Sequence, residues 1–269
     1  MNIKTLVKLA LKEDVAKGDI TTNSLIKNNK IISADFFAKE AGIVCGLDIT
    51  KMVFQLLDNK IIFNKIVKDG QKVKNSQVIA QIKGNVKTIL TGERTALNFL
   101  QHLSGIATLT NKFVKSAGKK TKIYDTRKTT PLLREVEKYA VRCGGGYNHR
   151  LNLSDMVLIK DNHLELVKNL HLNIKNFPKN KKIEIEAQNF SHVKQFVKLN
   201  PDIIMLDNMN YNEMKKSIQY IRNHSKCEIE ISGNVNSKTI EKFAGLKPDR
   251  ISVGVITHSA PSLDISLEF

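Results

Sequence analysis

Cysteine is scarce in this sequence. The three present, Cys45, Cys143 and Cys227, are widely spaced and odd in number. No Cys-x-x-Cys spacing occurs, so neither a disulfide framework nor a cysteine-rich metal site is expected, and reduced thiols in a cytoplasmic protein are the default. Aromatic residues are only 6%. None interleave with a basic run, which argues against the nucleic-acid partner that a pI near 9.7 would otherwise suggest. No stretch approaches the ~20 apolar residues of a membrane span. The first residues lack the apolar core and cleavage site of a secretory signal, so neither a membrane nor export is expected. Arginine is rare too: seven among 43 basic residues.

What the chain has in quantity is lysine, giving a formal net charge of +17. A lysine-rich solvated surface explains most of that charge, and the positive field would also gather an anionic substrate. The arginines are not spread in the same way. Arg94, Arg127, Arg134, Arg142 and Arg150 are five of the seven and fall within 57 positions, so their placement is more informative than that of the lysines. A chain of 269 residues with 41% apolar and 26% charged residues suits one large or two modest globular domains.

The stretch from Ile123 to Asn162 organises the rest. Two short apolar runs, Lys122 to Tyr124 and Met156 to Ile159, read as buried strands. Pro131 suits the first turn of a helix, and Leu132, Leu133, Val136, Tyr139 and Ala140 follow on one helical face. The run ends at Gly144-Gly145-Gly146. Cations stand at the edges of these elements: Arg127, Lys128, His149, Arg150 and Lys160. A site for several carboxylates or phosphates needs such an arrangement, because arginine offers a planar fork and lysine a compact charge.

Upstream, residues 3 to 12 carry apolar side chains at helical spacing, and Glu13 to Thr22 reads as a loop. Ile31 to Lys39, Ile61 to Val67 and Val78 to Ile82 read as strands, with a helix over Asp48 to Leu57. Strands, a helix and further strands suggest an α+β domain. Thr91 to Thr110 reads as a long helix with Gly105 inside it. From Lys122 short apolar runs at 122–124, 156–159, 182–185, 202–206, 227–231 and 250–253 alternate with helices near 131–143, 163–175, 190–199, 210–222 and 236–245. That alternation predicts a parallel sheet. Each run ends in a polar residue or glycine: Asp125, Lys160, Glu186, Asp207, Ser232 and Gly254. Six such ends favour an α/β barrel, whose sites gather at the C-terminal ends of its strands, over an open sheet.

Three long ordered motifs carry a resemblance: Asp-Thr-Arg-Lys-Thr from Asp125, Gly-Gly-Gly-Tyr-Asn-His-Arg-Leu from Gly144, and Leu-Ile-Lys-Asp-Asn-His from Leu158. With Glu93 to Asn98, His102 to Thr108, Leu206 to Asn208, Ser232 to Asn234 and Ser252 to Gly254, they resemble the quinolinate phosphoribosyltransferases of NAD biosynthesis. The likeness covers nearly the whole chain and is weakest over the first 60 or so residues. It implies an α/β fold with an incomplete (β/α) barrel over 106–256 and an N-terminal α+β open-sandwich domain over 1–105, to which 257–269 returns. It implies joining of quinolinate to phosphoribosyl pyrophosphate. Arg94, Arg127 and Arg150, with Thr126, His149 and Lys128 beside them, would hold the ring carboxylates. Lys160 and Lys128 would reach both ring acid and pyrophosphate, and Lys128, Lys160, Glu186 and Asp207 would serve the chemistry. Glu186 and Asp207 would take ribose hydroxyls and Mg2+, largely through substrate and water. Ser232, Gly233, Asn234, Val253, Gly254, Val255 and His258 would surround the 5′-phosphate. The resemblance also implies a homodimer in which Arg94 enters the neighbouring subunit's site.

Taken singly, these residues have plainer readings. Gly-Gly-Gly is usually a turn, Asp207 alone would cap a helix, Glu186 alone would pair with a lysine, and Arg94 alone would pair with Glu93. Related enzymes acting on another nitrogen heterocycle, and a basic nucleic-acid-binding module, stand as alternatives. The three arginines together favour a dicarboxylate.

Overall fold

A computed structural model describes residues 2–167 and 176–269. They divide into two compact units: Met1–Asn111 with Thr130–Gly145 and Ser259–Phe269, and Lys112–Thr129 with Gly146–His258.

The first unit begins with α1 (Ile3–Val15), whose N-cap Asn2 accepts from the Lys4 amide, and which buries Val7 and Leu11. The segment expected as a loop contains a second helix, α2 (Ile20–Leu25). Asp19 accepts from the Thr22 amide at 2.9 Å and so satisfies a first-turn donor. A four-stranded antiparallel sheet follows, built from β1 (Ile31–Ala38), β3 (Ile62–Lys65), β5 (Gln77–Asn85) and β12 (Ile265–Glu268), in the order β12-β1-β5-β3. β2 (Gly42–Ile43) pairs separately with β4 (Lys72–Val73). Phe36, Phe54 and Phe63 pack together, with ring centroids 6.2 and 5.7 Å from Phe36. Phe54 comes from α3 (Leu47–Leu57).

The long helix α4 (Val86–Ala117) exceeds the expected 91–110. Gly105 inside it has a packing reason: a Cβ there would lie 2.0 Å from the Pro261 carbonyl oxygen. α5 (Arg134–Cys143) starts three residues later than proline placement suggests. The Leu133 amide donates to the Thr130 carbonyl at 3.1 Å, and Leu132 adopts φ +67° and stays exposed. Leu132 is therefore not on the buried face. Glu137 is, accepting from the Thr130 amide and meeting His102 Nε2 at 2.9 Å.

The second unit is a six-stranded parallel sheet of β6 (Lys122–Tyr124), β7 (Val157–Ile159), β8 (Ile183–Ala187), β9 (Ile203–Asp207), β10 (Glu228–Ser232) and β11 (Arg250–Ser252). Its order is β6-β11-β10-β9-β8-β7. Among the described residues β6 and β7 do not pair, so the barrel is incomplete and unclosed. The helices are α6 (Asp161–Leu166), α7 (Phe190–Val197), α8 (Tyr211–His224), α9 (Ile240–Ala244) and α10 (Val255–His258). The helix expected over 163–175 overlaps α6; its stretch 168–175 lies outside the described residues.

Gly105→Ala should lower stability by about 1–3 kcal/mol or more, because a backbone carbonyl cannot move aside as a flexible side chain can. Urea unfolding measures this; a midpoint equal to that of the parent protein would contradict the close approach of Pro261.

Candidate active site

The second unit's strands are amphipathic in an uncommon sense: both faces are buried, and one is polar. Ile185, Ile204, Leu206, Ile229, Ile231 and Ile251 are fully buried apolar residues of one parity. The other parity carries Glu184, Glu186, Met205, Asp207, Glu230, Ser232, Arg250 and Ser252. Glu186 pairs with Met205, Met205 with Glu230, Glu230 with Arg250, and Asp207 with Ser232 across adjacent strands. Period-two alternation thus puts the charged set on one surface of the curved sheet. At the C-terminal ends of the strands that surface opens into a cavity of about 560 Å³.

Asp125, directly after β6, is fully buried. Its carboxylate accepts from Asn148 Nδ2 at 2.6 Å and from the His149 amide at 2.8 Å. The Asp125 amide donates to the Tyr147 carbonyl, and the Tyr147 amide to that of Ile123. Tyr147 also stacks on Tyr124 with centroids 5.4 Å apart. These contacts lay the segment after the glycines along the end of β6. Next in the chain, the Arg150 amide donates to His149 Nδ1 at 2.9 Å. Burial, with Arg127 as the second cause, lowers the Arg150 pKa, so two guanidinium groups are close enough to repel. Arg127 Nε is buried and makes no hydrogen bond among the described residues. Such a pair gains from an anion between the two groups.

On the opposite edge, Lys160 Nζ donates to Glu186 Oε1 at 2.6 Å. Burial holds the Glu186 carboxyl above its usual range; Lys160 pulls it down, while Asp207 and Asp161 push it up. Asp207 accepts from Asn208 Nδ2 at 2.7 Å. Asn208 also donates its amide to the Ser232 carbonyl. Gly233 has φ +83°, and a Cβ there would lie 2.2 Å from Asn208 Oδ1. Only glycine lets these two strand-end loops meet.

Below the cavity His149 Nε2 lies 2.9 Å from Glu184 and 3.7 Å from Glu230. Both glutamates are fully buried, Glu230 also accepts from Ser252 Oγ, and Arg250 Nε is 3.8 Å away. This is a mixed cation–carboxylate cluster that supports the ring of His149 from below.

Of the residues predicted from the sequence, Thr126, Arg127, Lys128, His149, Arg150, Lys160, Glu186, Asp207, Ser232, Gly233 and Asn234 line this one cavity. Val253 is fully buried and does not line it. Gly254 stands just behind: a Cβ would lie 3.3 Å from the His258 ring and from Lys128 Cδ, and Thr257 donates to the Lys128 carbonyl. His258 is exposed and Val255 opens α10. Arg94 belongs to the first unit, exposed on α4, with no ion pair among the described residues, Glu93 included. Four residues of the site lie outside the set expected from the sequence: Asp125 as a clasp, Glu184, Glu230 and Asn208. The repeats Ile-Glu-Ile-Glu in β8 and Glu-Ile-Glu-Ile in β10 were the signal for the two glutamates.

Comparison with known proteins agrees with this geometry. The families described as quinolinate phosphoribosyl transferase, N-terminal and C-terminal domains, match residues 19–104 and 106–268. The chain is 40% identical over 274 residues to a Methanocaldococcus jannaschii protein named "Probable nicotinate-nucleotide pyrophosphorylase (carboxylating)", covering 98% of this chain and 95% of that one. It is 36% identical over 290 residues to a Nicotiana tabacum mitochondrial quinolinate phosphoribosyltransferase (decarboxylating), covering 99% and 82%. The crystal structure of NadC from Streptococcus pyogenes is similar with a TM-score of 0.94 and 43% identity over 99% of this chain and 95% of that one. The chain belongs to the quinolinate phosphoribosyltransferase family.

Burial, and next the Glu184 charge, holds Glu230 well above the usual carboxylate range. The folded state therefore keeps this proton to higher pH than the unfolded chain does. The stability contributed by the protonated group is complete below about pH 4.3 and is lost as pH rises toward the raised folded value. Glu230→Gln should flatten that loss in urea midpoints followed from roughly pH 5 to 8; parallel pH profiles for variant and parent would contradict it.

Proposed function

We propose that the chain transfers the phosphoribosyl group of phosphoribosyl pyrophosphate to quinolinate, giving nicotinate mononucleotide, pyrophosphate and carbon dioxide for NAD biosynthesis. The observation that carries this reading is one cavity lined by Arg127, Lys128, Arg150 and Lys160 together with Glu186 and Asp207, in a chain of this family. Quinolinate carries two adjacent carboxylates on its ring. The close Arg127–Arg150 pair, with an Nε that has no hydrogen-bond partner among the described residues, suits such a dianion better than a single carboxylate.

In the reaction the ring nitrogen attacks the anomeric carbon while pyrophosphate departs, through an oxocarbenium-like transition state. Arg127 and Arg150 fix the ring, and Lys160 and Lys128 offer positive charge to the ring acid and to the departing phosphates. Glu186 and Asp207 bind ribose hydroxyls, and their negative charge stabilises the sugar cation. The loop of Ser232 to Asn234, with Gly254 and His258 nearby, takes the 5′-phosphate. Glu186 and Asp207 are also the residues that would hold magnesium. The fit is to a substrate-borne ion: of the carboxylates lining the cavity, Glu186 already meets Lys160 and Asp207 already accepts from Asn208, and magnesium completes its shell with phosphates and water. When bound, the ion supplies positive charge that helps pyrophosphate leave. Three cysteines without a disulfide suit a reducing cytoplasm.

We further propose a homodimer in which Arg94 acts in the partner's site; its exposure and the lack of an ion pair among the described residues support this. A two-fold arrangement makes the exchange reciprocal.

Product formation from quinolinate and phosphoribosyl pyrophosphate, with and without magnesium, tests the reaction; absence of a pyridine nucleotide under both conditions would contradict it. Lys160→Ala should lower turnover by ~100-fold or more through loss of one preorganised contact, and Arg94→Ala should also be impaired. Subunit exchange between the two variants should restore activity to up to about half of the sites in each heterodimer. If a mass tag confirms exchange and no activity returns, Arg94 does not act across the dimer.

A further inference from the structure

The first unit brings together two of the three cysteines, far from one another in sequence. Cys45 lies between β2 and α3, and Cys143 is the last residue of α5. Their Sγ atoms and a carboxylate oxygen of Asp69 all lie within 4.8 Å of one another. Neither cysteine is bridged; Cys45 is fully buried and Cys143 half-buried.

Asp69 is not available as a third reactive group. It accepts from the Gly46 and Leu47 amides at 3.0 and 3.1 Å, capping α3, and from Tyr139 Oη at 3.0 Å. A metal ion would have to displace these donors and remove the protons of both thiols. The two sulfurs, by contrast, differ in a useful way. The closeness of the two sulfurs lowers the Cys143 pKa and raises that of Cys45. Arg142 also favours the Cys143 thiolate, acting against its burial, the nearby Asp69 carboxylate and its place at a helix C-terminus, where the dipole disfavours negative charge. The result is a partly accessible thiol with a lowered pKa, backed by a buried thiol whose pKa is raised.

We propose that Cys45 and Cys143 form a redox-active dithiol that reacts with low-molecular-weight disulfides. The Cys143 thiolate attacks one sulfur of the small disulfide, whose S–S bond breaks. A mixed disulfide forms on Cys143, and one small thiolate leaves and takes a proton from water. Cys45 then gives its proton to water and attacks the Cys143 sulfur. The bond between Cys143 and the small molecule breaks, and a second small thiol is released. Two protein thiols are oxidised to one disulfide while one small disulfide is reduced to two thiols. The bridge would tie the end of α5 to the turn before α3. In the chain, α5 is flanked by the segments carrying Arg127 and Lys128 on one side and His149 and Arg150 on the other, so the element constrained is the one joining them.

The test uses the intact, reduced protein and oxidised glutathione as probe, followed by alkylation and peptide mass mapping. A peptide cross-linked through Cys45 and Cys143, reversed by dithiothreitol, is expected from the unsubstituted protein, with Cys227 untouched. Cys143 should react roughly tenfold or more faster than Cys227, which is buried with a raised pKa. Cys45→Ser should stop with glutathione on Cys143, and Cys143→Ser should leave Cys45 unmodified. The proposal is overturned if the folded, unsubstituted protein forms neither the cross-link nor the Cys143 adduct, or if Cys45 reacts without Cys143. Zinc binding that requires both thiols and blocks cross-linking would also overturn it, assigning the pair to a metal.

Discussion

The buried carboxylate of Asp125 is the constraint on which the cationic half of the site depends. It has no exposure to water, and its partners include the Asn148 side chain and the His149 amide. A buried carboxylate left without partners costs several kcal/mol, so the segment that supplies them is held against the end of β6. β6 is a three-residue edge strand, and the added bridge between Tyr124 and Tyr147 extends it by local pairing. Arg150 follows immediately, its amide fixed on the His149 ring. A backbone clasp of this kind sets where the guanidinium group starts, before any ligand arrives.

Beneath the site the barrel surface is polar rather than oily. Glu184, Glu230, His149 and Arg250 share one buried layer, and Glu186 with Lys160 stands above it at the cavity edge. Such a layer is not a source of stability, because desolvating charges offsets most of the attraction between them. Its effect is electrostatic: charges in a low-dielectric environment act more strongly on a substrate than the same charges in water.

Much of this was legible in the sequence. The six parallel strands fall within two residues of their expected ends, because short apolar runs bounded by polar residues admit few other readings. The ordered cations and carboxylates at those ends lie in one cavity, because parallel strands deliver their C-terminal ends to the same side. The polar inner layer was not legible. Alternating isoleucine and glutamate in β8 and β10 reads as a strand with one wet face, and nothing local says that the second face is closed by the sheet's own curvature. Leu132 was misplaced because Pro131 suggests a helix start, whereas the Thr130–Leu133 turn forms first and turns Leu132 outward. α2 was missed because its helix rests on one cap, Asp19, rather than on apolar periodicity.

The central claim is that this cavity holds a dicarboxylate through paired guanidinium groups. Isothermal titration of the protein with quinolinate and with nicotinate, which lacks one carboxylate, tests it most directly. A charged hydrogen bond contributes about 1.5–3 kcal/mol, so quinolinate should bind at least about tenfold more tightly. Equal affinity for the two compounds would contradict the account.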